Sequence, residues 1–215
     1  MRVAVTYVYP ALNQTIYRPM ARRFADTYMT HPPGSVDHDV YALVNGGAPQ
    51  MVKNYQNAMS PLPVKLHFHN NVGKDIGAFQ AIAADPAFKY DLMVCLGAPV
   101  RCRRAGWLDR IVRAYEDNGP GLYGAWAFHQ PMEHVRTTAF WLPPELLNAY
   151  PYQVVDGNRY EFEHGHRSIH QFVKSIGLGT YMVTWDGCYG VDQWHHIGLE
   201  DSLFIDQHMT AAGMA

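Results

Sequence analysis

Apolar and polar positions along the first 128 residues fall into short blocks whose period switches between two and about 3.6 residues. Residues 2–9 read as an inner strand. Residues 13–29 then set Ile16, Met20, Phe24 and Tyr28 at helical spacing, before HPPG at 31–34 ends the run. Residues 39–44 (DVYALV) form a second strand running into Asn45-Gly46-Gly47, and 49–59 a short helix with Pro49 in its first turn. In 63–80, PVKLHFHNNVGKDIGAFQ, Val64, Leu66 and Phe68 alternate with polar neighbours as on a half-buried strand. Asn70, Asn71 and Gly73 supply turn chemistry, because Asn and Gly tolerate positive φ, and a helical run follows over 76–84. Residues 92–96 (LMVCL) are continuously apolar, as on a strand covered on both faces. Residues 107–115 form an amphipathic helix on Trp107, Leu108, Ile111, Val112 and Tyr115. Asn118-Gly119-Pro120-Gly121 stops it, and 122–128 is a further strand.

This alternation predicts an α/β fold with βαβ units and a mainly parallel central sheet flanked by helices. Beyond residue 128 the pattern is less regular. Residues 137–142 read as a strand, 144–150 as a short helix, 162–176 as a helix, 180–185 as a strand and 201–209 as a helix. With no repeat or linker in evidence, the expectation is one domain over 1–215, with a parallel half (1–128) and a mixed half (129–215).

Composition narrows the class. The chain has 215 residues, 48% apolar and 17% charged, which predicts a globular core. A formal charge of −2 with no basic block points away from nucleic acid as a partner. No apolar run approaches the roughly 20 residues needed to span a bilayer, and MRVAVTYVYP reads as a strand and not as a signal peptide. Cys95, Cys102 and Cys188 are odd in number and lack CxxC spacing, which predicts a cytoplasmic, reducing environment.

Candidate chemistry gathers in two places. Asp75 follows the turn at the carboxyl end of a strand, where open α/β sheets bind ligands, although a helix cap at Asp75 and a tight turn at Gly73 explain both residues equally. Residues 160–170, YEFEHGHRSIH, crowd Glu163, His164, His166 and His170 together. Helical spacing would put Glu163 with His166, or His166 with His170, on one face, where an ion can be shared. HExxH is absent, and Glu163 beside Phe162 and two histidines also suits a tuned general base. His208 near Asp206 is a further metal-ligand candidate, or part of a solvated helix. GxSxG, P-loop and GxGxxG patterns are absent, and Cys95 sits in an apolar strand as a core residue.

The segment NVGKDIGAF at 71–79 resembles the N-x-G-x-D-x-G-A-(F/Y) motif of GT-A type glycosyltransferases, in particular the bacterial polysaccharide and rhamnan-synthesis-like group. LVNGG at 43–47, YDLMVCLGAPVRCRRAGWLDRI at 90–111, VRTTAFWLPPELL at 135–147, FEHGHRSIHQFVKSIG at 162–177 and DSLFIDQH at 201–208 are similar to that group's other blocks, in order. The resemblance implies a Rossmann-like GT-A fold that moves a sugar from a nucleotide-sugar donor to a glycan or other hydroxyl acceptor. A non-catalytic glycan- or nucleotide-binding protein on the same fold is the alternative. It implies that Tyr7, Tyr9 and Asn45 line the base and ribose. Asn70, Asn71 and Gly73 would hold ribose or diphosphate through backbone N–H groups, together with Asp75. Arg136 and Thr137 would meet sugar or acceptor, with Glu163 as the base of an inverting transfer. The family's Asp-x-Asp, which helps hold Mg²⁺ or Mn²⁺, is replaced here by Leu96-Gly97-Ala98-Pro99. That leaves three outcomes: a metal held elsewhere, metal independence with Arg101, Arg103 or Arg104 neutralising the diphosphate, or lost catalysis.

Overall fold

The computed structural model describes residues 1–207 and 209. In chain order, β1 (Val3–Pro10) leads to α1 (Gln14–Thr30), and β2 (His38–Asn45) leads through a 3-10 turn to α2 (Val52–Met59). β3 (Lys65–His69) leads to α3 (Lys74–Ala83), and β4 (Leu92–Leu96) and the short β5 (Arg101–Cys102) lead to α4 (Trp107–Asn118). There follow β6 (Gly121–Gly124), a small hairpin of β7 (Ala127–Phe128) and β8 (His134–Val135), and β9 (Ala139–Leu142). Three short helices come next, α5 (Pro144–Ala149), α6 (Arg159–His164) and α7 (Ile169–Ser175), then β10 (Gly179–Val183), β11 (Cys188–Gly190) and β12 (Phe204–Ile205).

Eight strands share one sheet in the order β11-β10-β6-β9-β4-β1-β2-β3. β1 pairs in parallel with β2 and β4, and β2 with β3, as βαβ crossovers require. β9 runs antiparallel between β4 and β6, so a strand from beyond residue 128 is inserted into the parallel set. Helices cover both faces. Val3, Val5, Tyr7 and Tyr9 pack with Phe24 of α1 and Trp107 of α4 on one side. Ala4 and Val8 pack with Phe79 of α3, Phe162 of α6 and Val173 of α7 on the other. The α/β sandwich with a mainly parallel sheet is therefore as the periodicity predicts. No helix among the described residues is long and apolar enough to cross a membrane.

Three expectations are corrected. Residues 162–176 form two helices, because Gly165 ends α6 with an extended backbone and Ser168 starts α7 afresh, its hydroxyl accepting from Gln171 N–H at 3.3 Å. The 201–209 stretch opens with a 3-10 turn and the strand β12, which pairs with β5, so Phe204 is buried by a sheet contact that helical spacing hides. The 122–128 strand likewise divides into β6 and β7.

Ser168→Ala tests the break between α6 and α7. Loss of the cap lowers stability by about 1 kcal/mol, read as a lower urea midpoint at unchanged slope. In a continuous helix the same substitution would raise the midpoint, since alanine is the best helix former.

Candidate functional site

At the carboxyl ends of β1, β2 and β4 a crevice of about 630 Å³ opens, lined by Val8 and Pro10, Asn45, and Ala98 with Pro99. From β1 the chain steps outward to β2 and later to β4 on the opposite side, which makes this a topological switch point. Leu12, just before α1, and Ile16, Tyr17 and Met20 of α1 give it one apolar wall; Asn71, Lys74, Asp75 and Arg159 give it a polar one.

The polar wall is built on the turn between β3 and α3, with Arg159 reaching in from α6. Asn71 (φ 71°), Gly73 (φ 71°) and Lys74 (φ 55°) all sit in the left-handed region. A Cβ on Gly73 would lie 2.2 Å from the Val154 carbonyl oxygen, and one on Gly77 would lie 1.9 Å from that of Val72. Both glycines are thus dictated by close backbone approach. The turn's own amides are engaged internally. Val72 N–H donates to Asn70 Oδ1 (3.0 Å), Gly73 N–H to Asp156 Oδ1 (2.9 Å) and Lys74 N–H to the Asn71 carbonyl (3.3 Å). Of the amides expected to hold a ligand, that of Gly73 is therefore taken by Asp156, and that of Asn71 donates to His69 Nδ1 at 3.2 Å. Lys74 pairs with Asp156 at 2.9 Å, and that ammonium with the Gly73 N–H holds the Asp156 carboxyl below its usual range. Asp75 receives two parallel bonds from Arg159, at 2.7 and 2.9 Å, so it orients a guanidinium toward the crevice and does not itself stand free. The same pair holds Arg159 above the ordinary guanidinium range.

Of the other crevice candidates, Asn45 is buried and lines the cavity, with its Oδ1 2.8 Å from His69 Nδ1. Asn70 is exposed and faces a separate groove of about 540 Å³ beyond the turn. Tyr7 and Tyr9 lie wholly in the core, because β1 is central and its odd positions face α1. Tyr7 stacks on Phe24 at 4.1 Å and donates to the Ala98 carbonyl at 2.8 Å, supporting the crevice floor from beneath. Arg101 lines a small extension of about 150 Å³ that shares Met20, Ala98, Pro99 and Gln207 with the crevice; burial and nearby Arg23 lower its pKa. Arg103 and Arg104 turn instead to Glu200 and Asp201.

The loop in the Asp-x-Asp position does not fit a hard cation. Gly97 N–H donates to the Thr138 carbonyl at 2.8 Å, the Ala98 carbonyl takes the Tyr7 hydroxyl, and no carboxylate is present in residues 96–99.

A second cluster forms where β8, the start of β9 and α6 meet. The Thr137 N–H (3.2 Å) and hydroxyl both donate to Glu163 Oε2, and Glu163 Oε1 is 3.1 Å from His164 Nε2. His134 is buried alongside, its ring 4.2 Å from that of His164, and burial lowers its pKa. Arg136 pairs with fully buried Asp206 at 3.2 Å. His166 is exposed and His170 faces the core of α7, so neither joins Glu163 as helical spacing predicts; the break at Gly165 separates them. His208 lies outside the described residues.

Sequence reasoning missed Arg159 and His134. Arg159 stands one helical turn before Glu163, a signal present in the sequence. His134 comes from a separate hairpin, and no local spacing links it to 163–164.

No family model matches the chain, and no curated protein matches it. Among solved structures, a mannosyltransferase from Pyrobaculum calidifontis, in complex with GDP-Man and Mn²⁺, aligns with TM-score 0.57 at 13% identity. That alignment covers 89% of this chain and 59% of the other. Mouse xyloside xylosyltransferase 1, in its apo form, aligns with TM-score 0.50 at 8% identity over 83% and 82%. With the sheet order, these likenesses show a GT-A type fold.

Gly77→Ala tests the turn. In an unencumbered helix alanine stabilises by about 0.5–1 kcal/mol. Here the clash with the Val72 carbonyl reverses the sign, for a loss of about 1–3 kcal/mol typical of overpacking. A thermal scan showing a raised midpoint would contradict the packing of α3 beneath the turn.

Proposed function

We propose that this chain transfers a sugar from a nucleotide-sugar to a glycan or other hydroxyl acceptor, as the resemblance to the rhamnan-synthesis-like group implies. The observation that carries the reading is the switch-point crevice, walled by apolar α1 on one side and by Lys74 and Arg159 on the other. A flat base suits the apolar wall, and a diphosphate suits two cations held at its rim. Asn45 and Asn71 offer amides for the ribose between them.

On this reading the nucleotide half supplies the crevice and the half beyond residue 128 supplies the acceptor side. Glu163 is the general base. With Oε2 fixed by Thr137, Oε1 takes the proton of the acceptor hydroxyl. The acceptor oxygen bonds to the anomeric carbon as the bond to the diphosphate breaks. That electron pair leaves on the diphosphate, and the configuration inverts. Arg159, Lys74 and Arg101 stabilise the charge that develops there. Arg136 and Thr137 position the sugar or acceptor. The loop over 96–99 offers Mg²⁺ or Mn²⁺ no carboxylate, so no step is assigned to either ion.

The alternative, a non-catalytic binder of nucleotides or glycans, is favoured by that same missing carboxylate pair. A thermal-shift screen against UDP-, GDP-, dTDP- and CMP-sugars, each with Mn²⁺ and with EDTA, separates the readings. Saturation at a hundred times the dissociation constant adds about 2.7 kcal/mol, and we expect the shift with one nucleotide to survive EDTA. Arg159→Ala should weaken that binding by about tenfold or more, the loss of a charged hydrogen bond. Glu163→Gln should keep the shift while turnover falls by about 10²–10⁴. Binding without turnover of any sugar, or no shift with any nucleotide, overturns the transfer and moves the assignment to the alternative, as a glycan binder in the second case.

A further inference from the structure

We propose that His134, Glu163 and His164 form a binding site for one divalent transition-metal ion of the zinc class. Each offers one ligand atom, and the atoms lie within 4.8 Å of one another; among the described residues this is the one such group of three or more. A tetrahedral ion with bonds of about 2.0–2.1 Å sets its ligand atoms roughly 3.4 Å apart. Glu163 Oε1 and His164 Nε2, at 3.1 Å, already span nearly such an edge. The widest edge contracts by at most about 1.4 Å, the difference between 4.8 Å and that spacing, within reach of small side-chain rotations.

The surroundings are those of ligand residues. His134 Nδ1 lies 2.7 Å from the Met132 carbonyl, which can only accept, so Nδ1 carries the hydrogen and Nε2 presents its lone pair. Glu163 Oε2 is fixed by Thr137, which leaves Oε1 to coordinate. His164 presents Nε2 to Glu163 Oε1, so Nε2 is its ligand atom, and the buried Nδ1, which has no hydrogen-bond partner, takes no part in the site. Two imidazoles and one carboxylate favour zinc and its transition-metal neighbours over Mg²⁺, which prefers oxygen. Three protein ligands leave a fourth position open.

The site stands on β8 and α6, and shares no residue with the loop that occupies the Asp-x-Asp position. One consequence rests on the transfer proposed above: a bound ion takes the Glu163 oxygen that would otherwise receive the acceptor's proton. Zinc and base action then exclude one another at that atom.

The test reads metal, not turnover. The full chain is stripped with EDTA, dialysed against Zn²⁺, Mn²⁺ or Mg²⁺ in turn, and assayed for bound metal by plasma emission and titration calorimetry. One zinc per chain is expected, with Mg²⁺ not retained. X-ray absorption should find nitrogen and oxygen neighbours at about 2.0–2.1 Å and no sulfur. His164→Gln and His134→Gln should each weaken zinc binding by at least tenfold, with circular dichroism confirming the fold. Should buried His134→Gln fail to fold, the more exposed His164→Gln decides. The paired substitution of exposed His195 and His196 by alanine should leave zinc in place. Failure to retain zinc, zinc unchanged by His164→Gln, or zinc lost with the His195/His196 variant, marking an adventitious surface ion, would each overturn the proposal.

Discussion

Asp75 and Arg159 stand 84 positions apart in sequence and meet through two parallel N–H···O bonds. The side chains are 19% and 41% exposed, so water screens the pair and its worth to folding is modest. Its importance is geometric. The planar fork of the guanidinium fits the carboxylate in one orientation, and so fixes the first turn of α6 against the first turn of α3. Glu163 lies one turn further along α6 and therefore takes its place from the same contact. A single ion pair thus sets the rim of the crevice and the position of the second cluster.

That contact is reached only because the turn before α3 is already shaped. Three residues of the turn occupy the left-handed region, and Asp156 bridges two of them, accepting from the Gly73 amide and from the Lys74 ammonium. Gly77, on α3, admits the Val72 carbonyl where any side chain would exclude it. The backbone is therefore folded back over its own helix, and Asp75 emerges at the rim. The same closure engages the amides of residues 71–74, and the Lys74 and Arg159 side chains stand at the crevice in their place.

Local rules reach as far as local forces do. The longer strands and helices of the first 128 residues were legible because their burial is periodic: β4 is apolar throughout and buried throughout, and α4 shows one face to the core. The turn with Asp75 was legible for the same reason, since glycine and asparagine mark positive φ without any tertiary context. Tyr7 and Tyr9 were misplaced because sequence shows that a strand end is near a crevice but not which face points into it; their depth under α1 is set by packing. The break at 165–168 was hidden because Glu163, His166 and His170 mimic helical spacing across it. His134 was invisible because hairpin β7–β8 brings it to α6 through tertiary structure alone.

The absent carboxylates after β4 and the cations around the crevice are two parts of one electrostatic argument. A diphosphate leaving group needs positive charge, and a metal supplies it only where oxygen ligands hold that metal. Residues 96–99 provide no carboxylate, only backbone carbonyls, while Lys74, Arg159 and Arg101 approach the crevice from three different elements. Their existing partners do not cancel this. Lys74 and Asp156 are 50% and 59% exposed, so the ammonium can turn from Asp156 to a phosphate with little loss. Arg159 has donors beyond the two that Asp75 occupies, and its pairing keeps the guanidinium aimed while they remain available. On the proposed transfer, the Arg159 charge is thus oriented before any ligand arrives, the condition under which a fixed cation stabilises a departing anion without reorganisation, whereas Lys74 must turn to reach it.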